Sequence, residues 1–164
     1  MKVLERVVAT DAPAATILIR LIIGGIFLSE GIQKLLYPDL RGAGEFAQIG
    51  IPFPELMGPF VGITQAVCGA LVLLGLFVRL AAIPQIIMML VAILSTKIPI
   101  LLGYEFWGFS LRELPIYGFW SMAHEARNDF TLLLGSIFFI IVGAGRFSLD
   151  KQLEQRYRGD TNTQ

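Results

Sequence analysis

Four apolar stretches set what this chain can fold into. They cover about residues 13–36, 55–78, 80–102 and 128–145. A hydrocarbon core of about 30 Å takes about 20 helical residues to cross. The fourth stretch is the shortest, yet it carries no charge from Phe130 to Val142. In lipid every backbone amide and carbonyl must be satisfied inside the protein, which leaves helices or closed barrels. The strand alternation of a membrane barrel is missing. The expected fold class is therefore all-α, an integral membrane four-helix transmembrane bundle forming a single domain over 1–164, with a polar C-terminal tail over 146–164. A soluble bundle would need charged outer faces on its helices, and these stretches have almost none. Composition agrees: 55% of residues are hydrophobic and 16% charged, against about 25% charged in ordinary soluble domains. A cleaved signal peptide is not expected, because the first stretch is too long for an h-region and runs into Glu30-Gly31-Ile32-Gln33-Lys34.

Two counts limit the chemistry. Cys68 is the one cysteine and His124 the one histidine. An intrachain disulfide, a Cys-rich zinc or iron–sulfur site and a haem held by two histidines of this chain are all excluded. Any electron carrier must come from a ligand or a partner. Net charge is +0, so no basic face for nucleic acid is expected.

The connections differ in kind. Val78-Arg79-Leu80 is the expected turn of a tight hairpin between the second and third stretches. The first connection holds Gly42, Gly44, Gly50, Pro52 and Pro54 and reads as irregular. The third is rich in aromatics, among them Tyr104, Trp107, Tyr117 and Trp120, a density typical of the membrane–water interface. Four spans put both termini on one side, together with Lys2, Arg6, Arg79, Arg146, Lys151, Arg156 and Arg158. The other side has Lys34, Arg41, Lys97, Arg112 and Arg127. The positive-inside rule then predicts cytoplasmic termini, with both long loops outside.

Within the second stretch Gly58, Gly62, Ala66 and Ala70 recur every fourth residue, a pattern that allows close helix approach in lipid. Ionisable groups inside spans are costly and survive when paired or useful. Arg20 lies near the cytoplasmic end of its span, where its side chain can reach the interface. Arg20 and Arg79 are expected to be structural polar residues. Glu30 and Lys34, four apart, share a helix face. Gln65 lies mid-span, Gln85 lies in the inner half of the third span, and Ser95-Thr96-Lys97 form a polar step at its outer end. Asn128 or Asp129 is placed to cap the fourth helix. His124, Glu125 and Asp129 lack a thiolate or second histidine to complete a metal site, and none is expected. The topology collects Glu30, Lys34, Lys97, His124, Asn128 and Asp129 in the outer half of the bundle, with Gln65 beneath. These are the candidate ligand-binding residues, the makings of a pocket for a small apolar molecule with a polar head.

The residues also carry a resemblance. The first span reads Arg20-Leu21, Gly24-Gly25-Ile26-Phe27-Leu28, Gly31 and Lys34-Leu35. Gly50-Ile51-Pro52, the segment Gly69 to Leu76 and Arg79 follow, and Gly143-Ala144-Gly145-Arg146-Phe147-Ser148-Leu149-Asp150 closes the fourth span. This ordered set resembles the DoxX family of small four-span bacterial inner-membrane proteins. The resemblance implies association with quinone-linked sulfur oxidation, with quinone and catechol resistance, and with assemblies that handle oxidative or thiol stress. Family members often carry Glu where this chain has Gln65, and His where it has Lys97. Arg20, Lys34 and Asn128 are family-like polar positions.

The function expected from these readings is a subunit or accessory of a quinone-linked redox or oxidative-stress system in the bacterial inner membrane. It would bind a lipid-soluble aromatic ligand such as quinone. Lys34 and His124 would donate hydrogen bonds, and Glu30 or Asp129 would exchange protons. No self-contained catalytic motif is present, so the chain is at most a subunit of such an oxidoreductase. No metal-bound or covalent cofactor is expected. Expected partners are the lipid bilayer, a partner oxidoreductase subunit and further copies of the chain. The alternatives are a non-catalytic scaffold for a partner oxidoreductase, and after it a small transporter.

Overall fold

Proline and glycine punctuate the helices of this computed structural model, which describes residues 7–10 and 12–161. Helix α1 (Thr16–Leu36) stops ahead of Pro38, which opens the short α2 (Pro38–Arg41) at a position that needs no amide hydrogen. Helix α3 (Ala43–Ile49) follows. Helix α4 (Pro54–Leu74) likewise begins on a proline and ends at Gly75, whose φ of 69° gives a left-handed C-cap. Helix α5 (Val78–Ala92), a π-helical turn (Ile93–Lys97) and α6 (Ile98–Leu102) run on as one rod. Helix α7 (Phe119–Val142) and α8 (Leu149–Thr161) follow.

Among the described residues, three helices are long and apolar enough to cross a bilayer: α1, α4 and the rod Val78–Leu102, of 21, 21 and 25 residues. At about 1.5 Å per residue each reaches about 30 Å. Helix α7 has 24 residues, but its first half includes His124, Glu125, Arg127 and Asp129.

Two boundaries differ from the sequence expectation. The hairpin turns at Gly75–Phe77, and Val78–Leu80 are already helical. The reason is remote: the Asp150 carboxylate accepts from the amides of Phe77 (2.7 Å) and Val78 (3.1 Å), capping α5. Helix α7 starts nine residues before Asn128, so Asn128 and Asp129 lie inside it and do not cap it. Gly118, with φ 110°, breaks the chain there, and the stretch from Phe119 onward lacks any Gly or Pro to stop a helix before Gly135.

Helices α1 and α4 pack antiparallel through paired glycines. A Cβ added at Gly31 would stand 2.4 Å from the Ala66 amide nitrogen and 2.6 Å from the Gly62 oxygen. One at Gly69 would stand 2.4 Å from the Leu28 nitrogen and 2.8 Å from the Gly24 oxygen. The seam thus uses Gly24 and Gly31 against Gly69 and Gly62, seven residues apart on each helix. Gly58 of the expected strip instead meets Gly42 and Ala43. A repeat of four drifts around a helix of 3.6 residues per turn, so Gly69 replaces Ala70 at the contact.

Helices α5 and α7 form the second close pair. Ser136 Oγ donates to Gln85 Oε1 (3.3 Å) and to the Leu132 oxygen (2.8 Å), placing a hydrogen-bonded polar pair inside an apolar core. Phe27, Val72, Val78, Leu132 and Phe139 are buried there from all four long helices.

One end of the bundle, which we call the terminal end, is closed by Arg20. Its guanidinium is not spread on the surface; the residue is 3% exposed. It donates to the carbonyls of Val72 (2.8 Å), Leu73 (2.6 Å), Ala144 and Phe147. Those of Val72 and Leu73 belong to the last turn of α4, where backbone donors run short; the Gly75 amide reaches Val72 at 3.1 Å, and Arg20 adds a charged donor to both carbonyls. Arg79 Nη2 reaches the Ile141 oxygen at 3.3 Å. Thr10 Oγ1 accepts from the Gly145 amide at 2.8 Å. Burial pushes the Asp150 carboxyl above its ordinary range, against the pull of its two amide donors, Arg20 and Arg79.

Candidate functional site

The opposite end, the loop end, gathers polar side chains from three helices. The close contact of Gly31 with Gly62 and Ala66 brings their sequence neighbours Glu30 and Gln65 within reach of each other. Gln65 Nε2 donates to Glu30 Oε2 at 3.4 Å, and Asn128 Nδ2 of α7 donates to Glu30 Oε1 at 3.4 Å. Both bonds are at the long end of the range, so the carboxylate is engaged but loosely held. Gln65 is 2% exposed, and its Oε1 finds no donor among the described residues. Lys34, one turn further along α1, and Asp129 are close enough to act electrostatically on Glu30.

Beside this trio lies an ion pair. Lys97 Nζ is 3.1 Å from Asp129 Oδ2, and the two side chains are only 13% and 17% exposed. The π turn sets the reach of Lys97. Pro99 has no amide hydrogen to give the Ser95 carbonyl, and its ring crowds that oxygen. The helix relaxes by widening, with the Ile98 amide bonding to the Ile93 oxygen. Ser95 and Thr96 return their hydroxyls to the Ala92 carbonyl, Thr96 at 2.6 Å. Sequence reading flagged Ser95-Thr96-Lys97 as a polar step but missed the π turn; Pro99 two residues later was the available signal.

The expected cluster is brought together in part. Glu30, Gln65 and Asn128 meet, Lys97 joins Asp129, and Lys34 is within electrostatic range. His124 stands apart on the exposed side of α7, where the Arg127 guanidinium lies 2.8 Å from both ring nitrogens. Glu125 pairs with Arg112 of the loop preceding α7 at 3.5 Å. Among the described residues no three His, Cys, Asp or Glu side chains are grouped to hold a metal ion.

The sequence profile of DoxX matches residues 15–98, from the start of α1 to the π turn and its neighbour Ile98. The chain belongs to the DoxX family. A relative from Mycobacterium tuberculosis, described as an uncharacterized membrane protein, is 46% identical over 151 residues, covering 92% of this chain and 88% of its own length. No solved structure matches significantly. With three helices of bilayer length and a membrane relative, this DoxX protein is an integral membrane protein.

What the loop-end arrangement offers chemically is a carboxylate with two displaceable amide donors, an unfilled carbonyl acceptor, an ammonium one turn away and a neutralised ion pair. An oxygen-bearing head group finds both donors and acceptors there, with apolar helix faces below it. The DoxX protein supplies no redox group from these side chains. Its residues can bind, orient and move a proton.

Proposed function

We propose that this DoxX protein is a four-span inner-membrane protein with cytoplasmic termini, in which α7 is the fourth span. We further propose that its loop end binds a lipid-soluble aromatic molecule with oxygen substituents, such as a quinone, in service of a quinone-linked redox or oxidative-stress system. The observation that carries this reading is the meeting of Glu30, Gln65 and Asn128 from three helices beside the Lys97–Asp129 pair. The cation count across the two ends favours the orientation.

The residues fit such a ligand. Lys34 and Asn128 carry donors for ring oxygens, while Gln65 Oε1 can accept from a ring hydroxyl. A bound quinone would supply the electron-accepting chemistry, and a partner oxidoreductase the electrons. Glu30 is the group that takes or returns a proton, since an incoming hydroxyl competes with two bonds of 3.4 Å. Lys97 holds Asp129 in place and lessens its repulsion of a charged Glu30.

The test is titration of purified protein with a short-chain ubiquinone or menaquinone analogue. Saturable binding that is lost in Glu30→Gln and weakened in Lys34→Ala is expected. An absence of saturable binding, or binding indifferent to both changes, refutes the reading and leaves a scaffold for a partner oxidoreductase. Isolation from native membranes with a stoichiometric partner would then establish that alternative.

A further inference from the structure

At the loop end, two exposed aromatic residues stand on left-handed backbone. Phe53, with φ 52°, precedes α4 and is 77% exposed. Trp107, also with φ 52°, is 86% exposed. It begins a two-residue hairpin turn with Gly108 (φ 85°), flanked by Phe106 and Phe109, which exchange backbone bonds of 2.9 and 3.2 Å. Two positive φ angles in such a turn are the pattern for which Asn-Gly is preferred, and a bulky aromatic in the first place is strained. Strain of this kind persists where the surrounding structure imposes it, and it clusters at functional positions. Phe77, the third aromatic with positive φ, has its amide held by Asp150 at the other end of the molecule.

Phe53 and Trp107 belong to one surface. The Ser110 amide donates to the Ile49 oxygen at 2.8 Å, clipping together the two loops that carry them. A Cβ at Gly50 would come 2.6 Å from the Gly108 oxygen, so the loops touch backbone to backbone. Phe53 also heads a continuous stripe along α4. Leu56, Phe60, Ile63 and Val67 follow at alternating spacings of three and four residues, all exposed, and this is the face α4 turns to lipid.

We infer that Phe53 and Trp107 form a two-pronged anchor seated in the boundary layer between lipid head groups and acyl chains. An amphipathic indole ring prefers that depth, with its N–H wet and its body in hydrocarbon. The occupant of this surface is the bilayer, because the patch continues a stripe that already faces it. The clip between the loops makes the two rings a single unit. Their depth fixes how far the Glu30 and Lys97–Asp129 groups sit below the head groups.

The chain's two tryptophans make the test direct. Trp120→Phe leaves Trp107 as the sole indole in full-length protein, reconstituted in phosphatidylcholine vesicles. Emission should be quenched strongly by bromines near the start of the acyl chains, weakly by bromines near their ends, and little by aqueous iodide. Iodide quenching without bromine quenching would place the ring in water and overturn the anchor. Protection from both quenchers would place it against protein and also overturn it. A second variant adds Phe53→Asn, since Asn tolerates left-handed backbone. Loss of shallow-bromine quenching at Trp107 is expected there; unchanged quenching would refute the pairing of the two rings.

Discussion

Replacing Gly31 by alanine tests the α1–α4 seam, with Gly25→Ala as its matched control. Both glycines lie in the middle of α1, so any intrinsic helix gain from alanine, up to about 1 kcal/mol, is shared. Their surroundings differ. A methyl at Gly25 meets nothing within 4 Å, while one at Gly31 would stand 2.4 Å from the Ala66 nitrogen and 2.6 Å from the Gly62 oxygen. Ordinary contact begins near 3.4 Å, so the helices must part by about 1 Å, the size of overpacking that costs about 1–3 kcal/mol. No side-chain rotation relieves it, because both atoms are backbone. Gly25→Ala should therefore be neutral or stabilising, with Gly31→Ala less stable than it by about 1–3 kcal/mol. Reversible unfolding in mixed detergent micelles, followed by circular dichroism, measures that gap. Parting the helices also stretches the 3.4 Å bond from Gln65 to Glu30 beyond hydrogen-bonding range. Ligand affinity should then fall in Gly31→Ala and hold in Gly25→Ala. Identical unfolding curves for the two variants would refute the close-packed seam.

Other outcomes are equally specific. Arg20→Met strips four carbonyls of a charged donor and should cost about 3 kcal/mol or more, read as loss of folded protein in membranes and a lower unfolding midpoint. A double-mutant cycle of Lys97→Met and Asp129→Asn should show a coupling of about 1 kcal/mol or more, because the pair is mostly shielded from water; a coupling near zero would contradict the ion pair. The native fold holds the Asp150 proton more tightly than the unfolded chain does. Its contribution to stability is therefore greatest below the ordinary Asp value of about 3.9 and is lost as pH rises from there to the raised native value. Wild type compared with Asp150→Asn across that interval should show this slope, and an opposite slope would reverse the assignment.

Much of the scaffold was legible because lipid leaves few choices. Apolar runs of bilayer length marked α1, α4 and the rod through α5 and α6, although the end of α4 lies at Gly75, short of the expected 78. Arg20 and Arg79 were legible as structural residues, but their partners at the terminal end were not, because the logic there is non-local. Arg20 and Asp150 are 130 positions apart, and no local pattern reveals that one serves the end of α4 and the other the start of α5. The start of α7 was hidden because the polar run His124 to Asp129 reads as a boundary. It is tolerated inside a helix whose polar groups find lateral partners in Arg112, Lys97 and Glu30. At the candidate site, sequence could group Glu30, Lys34, Lys97, His124, Asn128 and Asp129 at one level. It could not show which of them reach one another: His124 shares a face with Asn128 but lies one turn away along α7, where it meets Arg127 and not Glu30.

The π turn before Pro99 has a consequence for insertions and deletions. Such a turn is a regular helix with a residue to spare, so losing one residue from 93–97 would let the helix close into ordinary geometry without disturbing the helices on either side of it. The helices on both sides would keep their facing, because the turn already absorbs the extra residue, and only the side chains within 93–97 would change direction. Lys97 would leave Asp129 while the bundle stayed whole. Gene length and ion pair are thus linked at this turn: a related chain one residue shorter there would keep the fold and lose the pair, even with the same lysine and aspartate in its sequence.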